Sequence, residues 1–128
     1  MKPTLHDKVV ESPTSTYWFD TSGILCVVLK PNAINIDERK KLMNEFRQEH
    51  NNKIYCGLVD ISLFTTQDKE LRRFNAQELP HIFKAIAFIS PSALGNMAAN
   101  IYLGLSKAVP FQTFQTEEKA REWLKRYL

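Results

Sequence analysis

The feature that most constrains this chain is an apolar run at residues 54–59, Ile-Tyr-Cys-Gly-Leu-Val, that ends abruptly at Asp60. The run has strand length. A strand that is apolar throughout, rather than alternating, needs cover on both faces of its sheet. A second run, residues 83–89, is interrupted only by Lys84. Helical patterning separates the two, and strand–helix alternation predicts a parallel sheet with right-handed crossovers. In such sheets ligands and partners gather outside the carboxyl ends of the strands. The polar loop beyond Asp60 is therefore the first candidate site.

The rest of the chain fits around that core. Residues 1–15 are polar, with Pro3, Pro13 and a short Val9-Val10 pair, and read as a tail or cover strand ahead of one domain at 16–128. Residues 16–19 and 24–29 are strand-like, and Asp20-Thr21-Ser22-Gly23 between them reads as a turn, which predicts an antiparallel hairpin. Asn35 and Glu38 have capping-box spacing. The helix they open runs to about His50 with Ile36, Leu42, Met43 and Phe46 as its stripe. Arg39-Lys40-Lys41 and Arg72-Arg73 read as solvated helix faces. Thr65 and Asp68 have the same capping spacing before a short polar helix anchored by Leu71 and Phe74 and closed by Pro80.

Ser90 as N-cap and Pro91 at the first helical position predict a helix over 91–106. Leu94, Met97, Ala98, Ile101, Tyr102 and Leu105 give it an apolar stripe, and the opposite side carries no charge. A short strand at 111–114 and a helix capped by Thr116, with Ala120, Trp123, Leu124 and Tyr127 inward, complete the chain. The expected fold is α/β, a single domain with about five strands, an N-terminal β-hairpin and four helices. If all the helices lie on one face, the N-terminal tail or a second copy must cover the other.

Composition narrows the function classes. A formal charge of +3 over 128 residues is a mild excess, without the dense basic cluster of a nucleic-acid binder. Residues 85–106 contain no charge, but Ser90, Pro91, Asn96 and Asn100 interrupt them; a strand followed by a helix explains them better than a transmembrane segment. Cys26 and Cys56 lie in apolar strand patterns and read as buried thiols. Residues 1–15 lack the apolar segment of a secretory signal, so a cytoplasmic setting is the default expectation. His6, His50 and His81 are far apart and lack metal-ligand spacing. Gly23, Gly57, Gly95 and Gly104 build no phosphate cradle, and Ser62 sits in no nucleophile elbow. No metal, cofactor or catalytic residue is expected, and an enzyme reading would need side chains gathered by the fold.

Three groups remain as candidates. Asp60, Ser62, Thr65 and Thr66 read either as a polar ligand or phosphorylation site or as a strand-ending acid with turn and cap hydroxyls. Ser90 and Ser92 offer an anion site at a helix start, or simple capping. Asn96, Ala99, Asn100 and Leu103, on the uncharged side of helix 91–106, read as an interface for a homodimer or a wall for a small apolar ligand.

Tyr17-Trp18-Phe19 with Gly23-Ile24-Leu25, then Leu58-Val59-Asp60-Ile61-Ser62, then Phe114-Gln115-Thr116-Glu117-Glu118 with Ala120 and Trp123-Leu124, form a pattern. It resembles the STAS or SpoIIAA-like (anti-anti-sigma-factor-like, STAS/Sec14-like) family of small bacterial proteins, over about residues 16–128. The resemblance implies a regulatory, protein-interaction module whose second helix opens on an Asp-Ser-Ser-Gly segment with a phosphorylated serine. Here that region reads Phe64-Thr65-Thr66-Gln67-Asp68, which lacks the motif and leaves Thr65 and Thr66 as the hydroxyls to modify. The Sec14-like label implies instead a carrier of a lipid-like or other apolar ligand near helix 91–106.

Overall fold

A computed structural model describes residues 1–31, 35–64, 69–92, 95–104 and 107–128. Among them six strands form one sheet in chain order: β1 (Val10–Glu11), β2 (Ser15–Phe19), β3 (Leu25–Leu29), β4 (Tyr55–Asp60), β5 (Phe83–Ile89) and β6 (Phe111–Phe114). The first three are antiparallel and β3 to β6 are parallel. The α/β class and the N-terminal hairpin are as expected; the additional strand is β1, the Val9-Val10 region, which pairs with β2.

Four helices connect or follow the strands: α1 (Ile36–Glu49), α2 (Lys69–Glu78), α3 (Gly95–Tyr102) and α4 (Glu117–Leu124). From β3 onward the chain advances one strand at a time. Crossovers of one hand that step in one direction lay their helices on one face, and α1, α2 and α3 share a core there. Leu25, Val27, Leu29, Val59, Ile86 and Phe88 from the strands meet Met43, Ala99, Tyr102 and Leu103. After β6 the chain turns back, and α4 covers the opposite face. There Trp18, Cys26, Cys56, Leu58, Ala85 and Ala87 meet Ala120 and Leu124, with Met1 packed at the margin. The second face is thus closed by the last helix.

Capping and turn chemistry fix the local ends. The Asn35 side chain accepts the Glu38 N–H at 2.9 Å, and Thr116 accepts the Lys119 N–H at 3.3 Å, so each satisfies a first-turn donor. Asp20 accepts the N–H groups of Ser22 and Ile24 at 2.9 and 3.0 Å, which closes the hairpin. Its other oxygen takes the Arg121 guanidinium at 2.6 Å and ties α4 to that turn.

Two expectations change. The third helix is α3, beginning at Gly95, and Pro91 and Ser92 lie in a bend before it. Ser90 cannot serve as its cap: its N–H donates to the Phe114 carbonyl across the sheet, and its hydroxyl accepts the Ser92 N–H in a tight turn. The helix is also rotated relative to its apolar spacing. Gly95, Ala99, Tyr102 and Leu103 are buried, while Met97 is 58% exposed. Small residues let α3 sit close to the sheet; a Cβ on Gly95 would press on Thr113 and Ser90.

Candidate functional site

β4 is flanked on both sides by parallel partners, β3 and β5. Its carboxyl end is therefore the middle of the sheet edge on which Leu29, Ile89 and Phe114 also end. The antiparallel turn at Ser12 to Ser15 joins the same edge, where the Lys30 N–H donates to the Thr14 carbonyl.

Asp60 is half-buried and accepts the Ser62 N–H at 2.9 Å. The Ile61 N–H donates to the Ile89 carbonyl, and the Phe64 N–H donates to the Ile61 carbonyl. Phe64 packs edge-on against Tyr102 of α3, with ring centroids 5.8 Å apart. The base of this loop is thus held by backbone bonds and an aromatic contact. Ser62 and Leu63 project from it, and Leu63 is 59% exposed. Thr65, Thr66 and the Asp68 cap lie outside the described residues.

The other candidates separate. Ser90 is buried with its polar groups engaged in the sheet and the bend, whereas Ser92 is exposed. Asn96 is exposed and Asn100 half-buried. Ala99 and Leu103 are 0% and 1% exposed in the chain's own core. They cannot present an interface, because α3 turns that side to the sheet. The outward side is that of Asn96 and Met97.

A cavity of about 100 Å³ lies between α1 and the sheet. Leu25, Val27, Leu29, Met43, Leu79 and Phe83 form its apolar wall, Tyr102 closes it toward α3, and Ser12, Thr14, Ser15 and Arg39 supply polar atoms toward the carboxyl edge. Phe83 reaches over Gly57, where a Cβ would overlap its ring.

Arg39 differs from its sequence reading: it is half-buried and turns inward. One guanidinium nitrogen donates to Asn75 Oδ1 at 3.3 Å, and the group lies near enough to the Tyr102 phenol to act on it electrostatically. Asn75 is fully buried and donates from Nδ2 to the Tyr102 carbonyl at 3.0 Å, filling an acceptor that the end of α3 leaves open. Burial pushes the Tyr102 phenol up, and Arg39 pulls it the other way. Sequence reasoning missed Arg39 and Asn75. The signal for Arg39 was its spacing, three residues after Ile36 and four before Met43, on the inward stripe.

The cysteines are buried as expected. Burial, then Asp20, pushes the Cys26 thiol up to about 12, and burial raises Cys56 as well; both stay protonated at neutral pH. Among the described residues no cluster of His, Cys, Asp or Glu has metal-binding geometry, and no helix is long and apolar enough to cross a membrane.

A family model spans residues 17–128, from within β2 onward, and so includes the loop after β4 and Arg39 but not Ser12, Thr14 and Ser15 of the cavity lining. The chain belongs to DUF7793, a domain of unknown function. No curated protein matches it. Among solved structures, an uncharacterised protein of the DUF3478 family from Shewanella loihica PV-4, which has a SpoIIAA-like fold, aligns with a TM-score of 0.52. The two are 17% identical, and the alignment covers 97% of this chain and 98% of that one. This DUF7793 domain therefore has a SpoIIAA-like fold.

Proposed function

We propose that this chain is a non-enzymatic regulatory module of the STAS/SpoIIAA-like kind that docks a protein partner through the loop after β4. The observation that carries the reading is Leu63, 59% exposed beside exposed Ser62 at the carboxyl end of a central parallel strand. A large apolar side chain held out by a rigid loop base supplies contact area at small entropic cost on docking. Phosphate on Thr65 or Thr66, two and three residues along the chain from Leu63, would add up to about two negative charges and change that docking. The setting we propose is cytoplasmic.

The test is co-purification from the chain's own host. Leu63→Glu is expected to remove a partner that the wild type retains, and Lys119→Glu, on exposed α4, to keep it. Retention of every partner by Leu63→Glu contradicts the reading.

A second reading, a carrier of a small apolar ligand, is favoured by the cavity that Tyr102 of α3 helps to line. Native mass spectrometry of protein from its own host would then show a bound small molecule. A bare chain counts against it.

A further inference from the structure

We infer that the cavity beneath α1 is a site for a small amphipathic carboxylate, with the apolar body against Met43 and Leu79 and the head on the Arg39 guanidinium. The inference rests on the second reading above, that a small apolar ligand occupies this face, and adds the charge of its head.

The placement of Arg39 carries the argument. An inward position on an amphipathic helix ordinarily holds an apolar residue, because bringing a guanidinium off solvent carries a desolvation cost unless it is paired. Here Arg39 sits with Leu42, Met43 and Phe46 of α1 at the cavity wall. Among the described residues its hydrogen-bond partner, the Asn75 amide, is neutral, and so is the nearby Tyr102 phenol. Among the described residues its Nε, like that of Arg47, is buried without a hydrogen-bond partner. Among the described residues Arg39 makes no ion pair, whereas Arg47, one helical stretch further along α1, pairs with Glu78 at 3.0 Å.

The neutral partners do more than tolerate the cation. Asn75 is fixed by its bond to the Tyr102 carbonyl, and Tyr102 by the Phe64 and Phe88 rings. The guanidinium is thereby held in place with donor capacity left over. A carboxylate accepts two parallel N–H bonds from such a fork, and an uncharged amide cannot match that. Ser12, Thr14 and Ser15 lie on the same cavity, and the two serine hydroxyls are bound to each other and to the Ser15 carbonyl within the turn. The volume, about 100 Å³, suits a short chain or a single ring rather than a long acyl tail.

The test compares hexanoate with hexanamide, which share a body and differ in head charge at neutral pH. Binding to the full chain is measured by calorimetry and by methyl NMR. Hexanoate is expected to bind about tenfold more tightly or better, the gain of one charge-assisted pair. The Met43 methyl is expected to shift. Arg39→Gln should abolish the preference, with the fold checked by circular dichroism. If that variant does not fold, the wild-type preference and Arg39→Lys, which keeps charge without the fork, decide. Equal binding of the two probes overturns the charge inference and leaves the carrier reading standing. Binding of neither, or shifts confined to the hollow around Lys53 and Lys84 at the opposite edge, overturns the inference and removes the support this cavity gives to the carrier reading.

Discussion

The two faces of the sheet are covered in different ways. On the α4 face the strands present Cys26, Cys56, Ala85 and Ala87 beside the larger Trp18 and Leu58, and the helix answers with Ala120 and Leu124. Ala120 is fully buried there, and the Arg121–Asp20 pair fixes the helix to the hairpin. On the three-helix face the side chains are longer, Met43, Phe83, Phe88 and Tyr102 among them, and a cavity remains. That face also holds the buried polar group of Arg39, Asn75 and Tyr102. The contrast separates a face that secures the fold from one that has room and chemistry to spare.

Overpacking should break the symmetry most plainly. Ala120→Leu has no space to enter and is expected to cost about 1–3 kcal/mol by denaturant titration. Leu42→Phe, on the cavity, is expected to stay within about 1 kcal/mol of wild type. Comparable losses at both sites would remove the distinction between the faces.

The polar group is the next point. Asn75→Ala leaves the Tyr102 carbonyl and the Arg39 guanidinium without their partner, which is expected to cost about 1–3 kcal/mol. A cost below about half a kilocalorie would mean that water replaces the amide.

The smallest effect belongs to Cys26 on the tight face. Its folded pKa is raised from 9.0 to about 12, so the folded state holds the proton that the unfolded state gives up. The stability this provides is complete below pH 9.0 and is lost as pH rises toward about 12. Between about pH 8 and 10 the wild type should lose about 1 kcal/mol more than Cys26→Ala. Identical slopes would show that the thiol is not shielded as the structure has it.

Much of this was written in local pattern. The apolar runs gave β4 and β5, Asp20 to Gly23 gave the hairpin turn, and Asn35 and Thr116 gave two helix starts, because each depends on neighbours a few residues away. The placement of α4 was not legible. Ala120 and Leu124 mark an inward stripe but do not say which face of the sheet it meets. The rotation of α3 was misread because hydrophobicity pointed to Met97, while close approach to the sheet selected Gly95 and Ala99. Ser90 as a helix cap failed because Pro91 and Ser92 form a bend instead of a first helical turn, with the Ser90 hydroxyl accepting the Ser92 N–H. At the candidate site, the strand end alone points to Asp60 and Ser62. Leu63, Arg39 and Asn75 were not legible, since their roles depend on exposure and on contacts between helices distant in sequence.

The central proposal is that the loop after β4, at the carboxyl edge of the sheet, is where this chain meets a partner. Site-specific photo-crosslinking in its own host tests it directly, with the probe amino acid at Leu63 or, on the structural face, at Lys119. The account predicts one defined protein adduct from position 63 that position 119 does not give. An adduct from position 119 with none from position 63 would contradict it.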